Sequence, residues 1–206
     1  MISLLLASRN RKKTEELQAI LRGLPVRVLS LPDFPDAPEV IEDGKTFAEN
    51  AAKKAVTLAD WCGMPALGED SGLCVEALGG APGIYSARYA EHGDDLANCR
   101  KLLAAMKDVP PDKRQAAFHC AVVIAAPGNK IVGICEGRYP GTIATDFRGT
   151  FGFGYDPVFF DPSTGKHFAE LEPEFKNRIS HRAIALAKAK DILTEYLASQ
   201  KSVIDK

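Results

Sequence analysis

Apolar residues along this chain alternate between short runs and helical stripes. Residues 2–7 form an apolar run of strand type, and the polar stretch Ser8-Arg9-Asn10-Arg11-Lys12-Lys13 follows. Leu17, Ile20, Leu21 and Leu24 then fall at i, i+3, i+4 and i+7, which predicts a helix carrying Glu15, Glu16, Gln18 and Arg22 on its outer face. Residues 26–31 predict a second strand, and residues 32–38, with three prolines and two aspartates, predict a loop.

Thr46-Phe47-Ala48-Glu49 has the form of a capping box and predicts a helix running to about Cys62. Residues 66–69 and 73–78 predict two strands interrupted by Asp70-Ser71-Gly72, before the turn-forming run Gly79-Gly80-Ala81-Pro82-Gly83. Leu96, Cys99, Leu102, Leu103 and Met106 mark a helix that Val109-Pro110-Pro111 ends. Residues 116–126 and 130–139, separated by Pro127-Gly128-Asn129, predict a hairpin. Shorter strand-like pieces follow at 142–145 and 158–160. Ser180 is a good N-cap for a long last helix carrying Ile184, Ala187, Ile192, Leu193 and Leu197. Helices and strands interleave, but the hairpins break a simple βαβ alternation, so the expected class is α/β with a mixed sheet.

Composition narrows what such a fold does. The chain has 206 residues, 46% of them hydrophobic, and 26 Lys plus Arg against 27 Asp plus Glu for a net charge of -1. That suits one globular domain, or two small lobes, and provides no overall field for a nucleic-acid backbone or an anionic membrane. The opening apolar run is too short for a membrane span and has no basic residues ahead of it, so neither signal peptide nor membrane segment is expected and the protein is read as cytoplasmic. Five scattered cysteines, without a CxxC pair or finger-spaced histidines, read as reduced thiols.

Four polar clusters carry candidate chemistry, and each also has a plain structural reading. Ser8 to Lys13 places four cations where a first strand passes into a helix, a usual anion crevice in open α/β sheets, or else a solvated basic turn. Gly68-Glu69-Asp70-Ser71-Gly72, with Glu42-Asp43 and Glu49-Asn50 upstream, groups hard oxygens that suit Mg²⁺, which needs one or two carboxylates when phosphates and water fill its other positions. The same residues would also make an ordinary tight turn. Phe153-Gly154-Tyr155-Asp156 could stack on a base, or sit in the core at a strand end. Lys176 with Ser180-His181-Arg182 sets cations in a first helical turn, where the macrodipole disfavours them, which points to function or else to a solvated helix start.

Taken together, these residues resemble the inosine triphosphate pyrophosphatases, which hydrolyse deaminated purine nucleoside triphosphates. Ala7-Ser8-Arg9-Asn10-Arg11-Lys12-Lys13 before Glu16-Leu17 is similar to that family's opening motif, and Phe47-Ala48-Glu49-Asn50-Ala51 with Lys54 to its second block. Glu69-Asp70-Ser71-Gly72-Leu73, continuing from Leu78-Gly79-Gly80 to Ala87-Arg88-Tyr89, is the most diagnostic stretch. Phe153-Gly154-Tyr155-Asp156-Pro157 and Ser180-His181-Arg182 complete the set in family order. A sibling pyrophosphatase of other nucleotide preference would carry Ser-Pro-Arg-Arg after the first strand, where this chain has Ser8-Arg9-Asn10. A non-catalytic nucleotide- or nucleic-acid-binding module is opposed by the Glu69-Asp70 pair and the net acidity.

The resemblance implies an α/β fold with a mixed central sheet flanked by helices, two lobes with a cleft between them, and a single pyrophosphatase domain over residues 1–206. It also implies a homodimer that uses Mg²⁺ and acts on a purine nucleoside triphosphate such as ITP, dITP or XTP. Residue by residue, Ser8, Asn10 and Lys13 would hold the triphosphate, with Arg9, Arg11, Lys12 and Lys54 also in the substrate-binding set. Asp70 would be catalytic acid-base residue and metal ligand, and Ser71 would touch substrate. Phe153, Gly154, Tyr155, Asp156, Lys176, His181 and Arg182 would enclose base and sugar. Ile41 stands where some relatives carry an acid, so the second metal carboxylate is assigned to Glu42, and Glu69 stands in place of the aspartate common in relatives.

Overall fold

The computed structural model describes residues 1–204, with side chains described for 1–200. Seven strands among these residues form one sheet: β1 (Ile2–Leu6), β2 (Val26–Ser30), β3 (Ala66–Val75), β4 (Gln115–Ala126), β5 (Lys130–Ile143), β6 (Phe159–Asp161) and β7 (Lys166–His167), in the order β2-β1-β3-β4-β5-β6-β7. β1 is parallel to β2 and β3, with Leu4 opposite Val28 and Leu6 opposite Leu67, whereas β6 is antiparallel to β5 and β7. The α-helices are α1 (Arg11–Ile20), α2 (Phe47–Cys62), α3 (Asp95–Ala105), α4 (Pro173–Ile179) and α5 (His181–Ile204). The mixed α/β class expected from the sequence is the one observed.

The chain divides into two compact units. One comprises Met1–Asp70, Ala121–Gly137 and the part of α5 from Ile184 onward; the other comprises Ser71–Cys120 and Arg138–Ala183.

In the first unit, Leu4, Leu5 and Leu6 are completely buried, so β1 is covered on both faces, as an unbroken apolar run between parallel neighbours demands. Leu5 and Ala7 pack with Ala51, Ala55, Leu58 and Ala59, a small-residue face that lets α2 lie close to the sheet. Gly68 is where they touch: a Cβ there would run into the Ala51 carbonyl oxygen and stand 2.7 Å from the Ala55 nitrogen. Only glycine permits that approach, which brings Asp70 within reach of α2.

The second unit has an aromatic core in which Phe118 and Phe159 lie 4.5 Å apart, Phe159 and Phe168 lie 4.7 Å apart, and Leu73, Leu102 and Met106 pack around them. Arg114, 5% exposed, ties this unit together by donating to the carbonyls of Met106, Val109, Ile143 and Ala144.

Several elements differ from their sequence expectation. Asp70-Ser71-Gly72 does not interrupt a strand, because β3 runs on continuously from Ala66 to Val75. β1 pairs only with Ala66 and Leu67 of β3, and it is β4, the neighbour on the other side in the sheet, whose company overrides local turn preference further along the strand. The piece expected at 142–145 is the end of β5, which passes through Pro140 and Gly141 before Thr142 pairs with Phe160. α4 and the two-residue β7 carry no periodic signal. Leu96 is 48% exposed, and Ala187 is exposed too, because α5 buries Ala185, Leu186, Ala189, Leu193 and Leu197 instead.

Candidate active site

The first unit holds the basic turn and the carboxylates. α1 starts at Arg11, inside the polar stretch 8–13 expected as a loop before the helix, and Asn10 is its cap: Oδ1 accepts the backbone N–H of Lys12 at 3.0 Å and of Lys13 at 3.4 Å, while Ser8 Oγ accepts that of Asn10 at 3.1 Å. The N–H groups expected to be open to an anion are therefore engaged by side-chain oxygens. Arg11 pairs with Glu15 on the surface, and Lys12 is exposed. Lys13 turns inward and meets Glu69 at 2.7 Å.

A cavity of about 510 Å³ gathers Ser8, Arg9, Lys13, Lys54, Glu42 and Glu69 into its lining, whereas Asn10, Arg11, Lys12 and Asp70 are not part of it. Its polar walls alternate in sign, since Lys54 donates to Glu42 at 2.8 Å much as Lys13 does to Glu69.

Asp70 is held through Asn50, which is 1% exposed. Asn50 Oδ1 accepts the Gly44 N–H at 2.8 Å, so its Nδ2 is the end that donates to Asp70 Oδ2, at 2.9 Å. Asn50 and Lys54 stand one turn apart on the same face of α2. One helix face thus holds both expected metal carboxylates, Asp70 through Asn50 and Glu42 through Lys54. Thr46 caps this helix as expected, accepting from Glu49 N at 3.1 Å, although Glu49 reaches past Thr46 to accept from Lys45 N at 2.7 Å.

No group of three or more His, Cys, Asp or Glu poised to hold a metal occurs among the described residues. Paired acids beside a cation-lined cavity fit a hard cation that arrives with phosphates and water as its remaining ligands, which is how Mg²⁺ is bound, and do not fit an all-protein cage.

The second unit holds the other predicted residues. Asp156 is 2% exposed and accepts the Phe153 N–H at 2.9 Å and a bond from Lys176. Burial pushes its carboxyl above the usual range, against the downward pull of Lys176 and the Phe153 N–H. The Lys176 ammonium lies 4.8 Å from the Phe153 ring centre and 5.7 Å from that of Phe168. Phe153 is 55% exposed, whereas Tyr155 is buried and gives its hydroxyl to the Ser86 carbonyl at 2.9 Å. Gly152 and Gly154 have φ of +81° and +60°, and a side chain at Gly152 would collide with the Asp156 carboxylate. Ser180 caps α5 by accepting from Ala183 N at 3.2 Å, and His181 stacks on Phe118 at 4.8 Å and 13°. Arg182 is 6% exposed, and Ser71 is partly buried within β3.

The sequence reading assigns no role of their own to Asn50, Asp95 and Cys99. Asn50 is legible in principle as the residue four before Lys54 on a capped helix. Asp95 and Cys99 of α3 grip Gly154: Asp95 Oδ2 accepts its N–H at 2.6 Å and Cys99 Sγ donates to its carbonyl at 3.3 Å. Burial, helped by the nearby Asp95 and Asp156 charges, pushes the Cys99 thiol up to about 12, so it stays a donor at neutral pH.

A model of the Ham1 family matches residues 4–192. The dITP/XTP pyrophosphatase of Geobacter sulfurreducens is 53% identical over 194 residues, covering 94% of this chain and 97% of that protein. The structure of a HAM1 protein from Coxiella burnetii superposes with a TM-score of 0.89 at 41% identity, covering 95% of this chain and all of that one. A dITP/XTP pyrophosphatase structure from Mycobacterium abscessus gives 0.78 at 42% identity, covering 91% of this chain and 98% of that one.

Proposed function

The chain belongs to the Ham1 family, and from that membership and the site's geometry we propose that it hydrolyses deaminated purine nucleoside triphosphates, namely ITP, dITP and XTP, to the nucleoside monophosphate and pyrophosphate. The observation that carries this reading is the cavity in which Arg9, Lys13 and Lys54 meet Glu42 and Glu69, a lining of mixed sign suited to a triphosphate bound with a divalent cation. The names of the similar proteins supply the substrate class.

In this reading Lys13, Lys54 and Arg9 bind phosphate oxygens, and the residues of the basic turn orient them. Glu42 and Asp70 would hold Mg²⁺, which when bound neutralises charge growing on the phosphate oxygens. Water attacks phosphorus, the bridge between the α- and β-phosphates breaks, and the electron pair of that bond leaves on pyrophosphate. Asp70 Oδ2 is engaged by Asn50, so the carboxylate's orientation is fixed before substrate arrives. One Asp70 oxygen would serve the cation when it is bound, and the other would orient the water and draw off its proton. In the second unit, Phe153, the peptide of Gly154, Lys176, His181 and Arg182 would hold base and sugar, with Tyr155 and Asp156 as buried supports of that loop. Among the described residues no helix is long and apolar enough to cross a membrane. The homodimer and the cytoplasmic location implied by the resemblance belong to the same proposal.

The test is a turnover panel across ITP, dITP, XTP, GTP and ATP, with and without Mg²⁺, resolving monophosphate plus pyrophosphate from diphosphate plus orthophosphate. Preferential, Mg²⁺-dependent release of pyrophosphate from the first three is expected. Release of orthophosphate, or no preference over ATP, overturns the reading.

A further inference from the structure

The glycine-rich loop of the second unit is built to be loose, yet it is held. Gly149, Gly152 and Gly154 all adopt left-handed φ values of +80°, +81° and +60°. Residues of that freedom lose the most conformational entropy on ordering, so an untethered loop of this composition would be ordered at the expense of whatever it binds. Near the loop's root, the backbone N–H groups of Thr150 and Phe151 both donate to the Ala169 carbonyl. Within it, Asp156 takes the Phe153 N–H. At its tip the holds come from α3, where Asp95 accepts the Gly154 N–H at 2.6 Å and Cys99 donates to the Gly154 carbonyl at 3.3 Å. Asp95 and Cys99 are four apart and share a helix face, and Asp94 keeps the start of that helix rigid by accepting the Ala97 N–H at 2.8 Å.

We propose that Asp95 and Cys99 are positioning residues for the base end of the substrate, fixing Gly154 from both sides so that residues 153–156 are already arranged before a nucleotide arrives. This rests on the reading above that the loop holds the base. Neither side chain is asked to touch substrate or take part in bond breaking. The ordering of the loop is needed equally for the bound substrate and for the transition state, so loosening it raises KM and leaves kcat alone. It acts only on ligands that have a base.

The experiment compares Asp95→Ala, Asp95→Asn, Cys99→Ala and Cys99→Ser with wild type, using dITP turnover and the inhibition constant of inorganic tripolyphosphate in the presence of Mg²⁺. For Asp95→Ala the expectation is a rise in dITP KM of about five- to twentyfold with kcat within twofold and the tripolyphosphate constant within twofold. Asp95→Asn keeps an acceptor and Cys99→Ser a donor, so each should recover most of the loss seen in its alanine counterpart. A KM for Asp95→Ala within twofold of wild type overturns the proposal, as does a fall in kcat with KM unchanged, or an equal weakening of dITP and tripolyphosphate. Asp95 lies on the surface, so the alanine variant is expected to fold; if it does not, the Cys99→Ala and Cys99→Ser pair decides by the same criteria. Wild-type protein that fails to turn over dITP refutes the proposed function itself, a result distinct from a working enzyme whose variants behave like wild type.

Discussion

Lys13 and Glu69 form a 2.7 Å ion pair in which the carboxylate side chain is 1% exposed and the ammonium side chain 23%. The cation proposed to stabilise phosphate charge is thus also a counter-charge to a buried acid. Truncating it removes both at once. Lys13→Ala is expected to cost about 2–4 kcal/mol of transition-state stabilisation, the size seen when one charge-stabilising donor leaves a closed site. It is also expected to lower the melting temperature, because it leaves a buried carboxylate without this ammonium. Lys13→Ala with Glu69→Gln separates the two effects: thermal stability should return while kcat/KM stays low. A double variant that regains kcat/KM would reduce Lys13 to a structural partner of Glu69.

Asp70→Asn should abolish turnover while nucleotide binding stays within about tenfold, since the amide keeps the shape but cannot draw off a proton or hold the cation. Asn50→Asp tests the support behind it. A second carboxylate would face both Asp70 and the Gly44 N–H, and like charges at hydrogen-bond distance oppose each other. The expected outcome is a fall in kcat of at least about tenfold with kcat/KM recovering toward low pH, read from the pH profile of each variant. Near-normal turnover of Asp70→Asn would remove that residue from the mechanism.

The elements of this fold are readable wherever a local signal agrees with the packing. The Thr46 cap, buried Leu17 of α1 with buried Leu21 at its C-terminal cap, and the Ser180 cap all appear where the pattern puts them. Asp70-Ser71-Gly72 reads as a turn because its strand character comes from neighbours distant in sequence, and β7 is too short to have a period. The candidate site shows the same division. Its residue types can be read, but no spacing shows that Asn10 commits its carbonyl to a helix cap or that Lys13 turns toward Glu69. Asp95 is hidden for the same reason, because the partner that gives it meaning lies at Gly154, beyond the whole β4–β5 hairpin.

Asp161 offers a pH-dependent test of how the second unit is held. Burial pushes its carboxyl up, but bonds donated by Ser163, Thr164 and Tyr139 outweigh that and hold it below the ordinary value of 3.8. A carboxyl depressed in the folded state stabilises the protein above its unfolded value, and that contribution is lost as pH falls through the folded one. Asp161→Asn should therefore lower stability by roughly 1.5–3 kcal/mol at pH 7. The gap from wild type should hold down to about pH 4 and close below it, as thermal unfolding at a series of pH values would show. A gap that is constant with pH would mean that shape, and not charge, is what the hydroxyl groups recognise.

Hypoxanthine and xanthine carry an acceptor oxygen at C6 where adenine carries a donor amine, so a fixed cationic donor aimed at that edge suits the first two and leaves the third unpaired. Arg182, 6% exposed in the first turn of α5 and next to the stacked His181, is the candidate donor. Sites that bond a distinguishing polar group can discriminate by about 10⁴-fold, because the wrong partner strands a buried group. Guanine also has a 6-oxo group, so Arg182 alone does not exclude GTP, and rejection there requires a pocket without an acceptor for the 2-amine. Arg182→Ala should lower ITP turnover by at least about 10²-fold, in line with the loss of a charged hydrogen bond in a buried site. ATP turnover, expected to be low in the wild type, should fall much less, so the ITP/ATP ratio of kcat/KM contracts toward one. Should both rates drop together with the ratio intact, Arg182 serves phosphate binding or structure, and base reading passes to Lys176, His181 or the backbone at Gly154, which the Asp95→Ala variant would then reveal as a loss of selectivity in addition to a rise in KM.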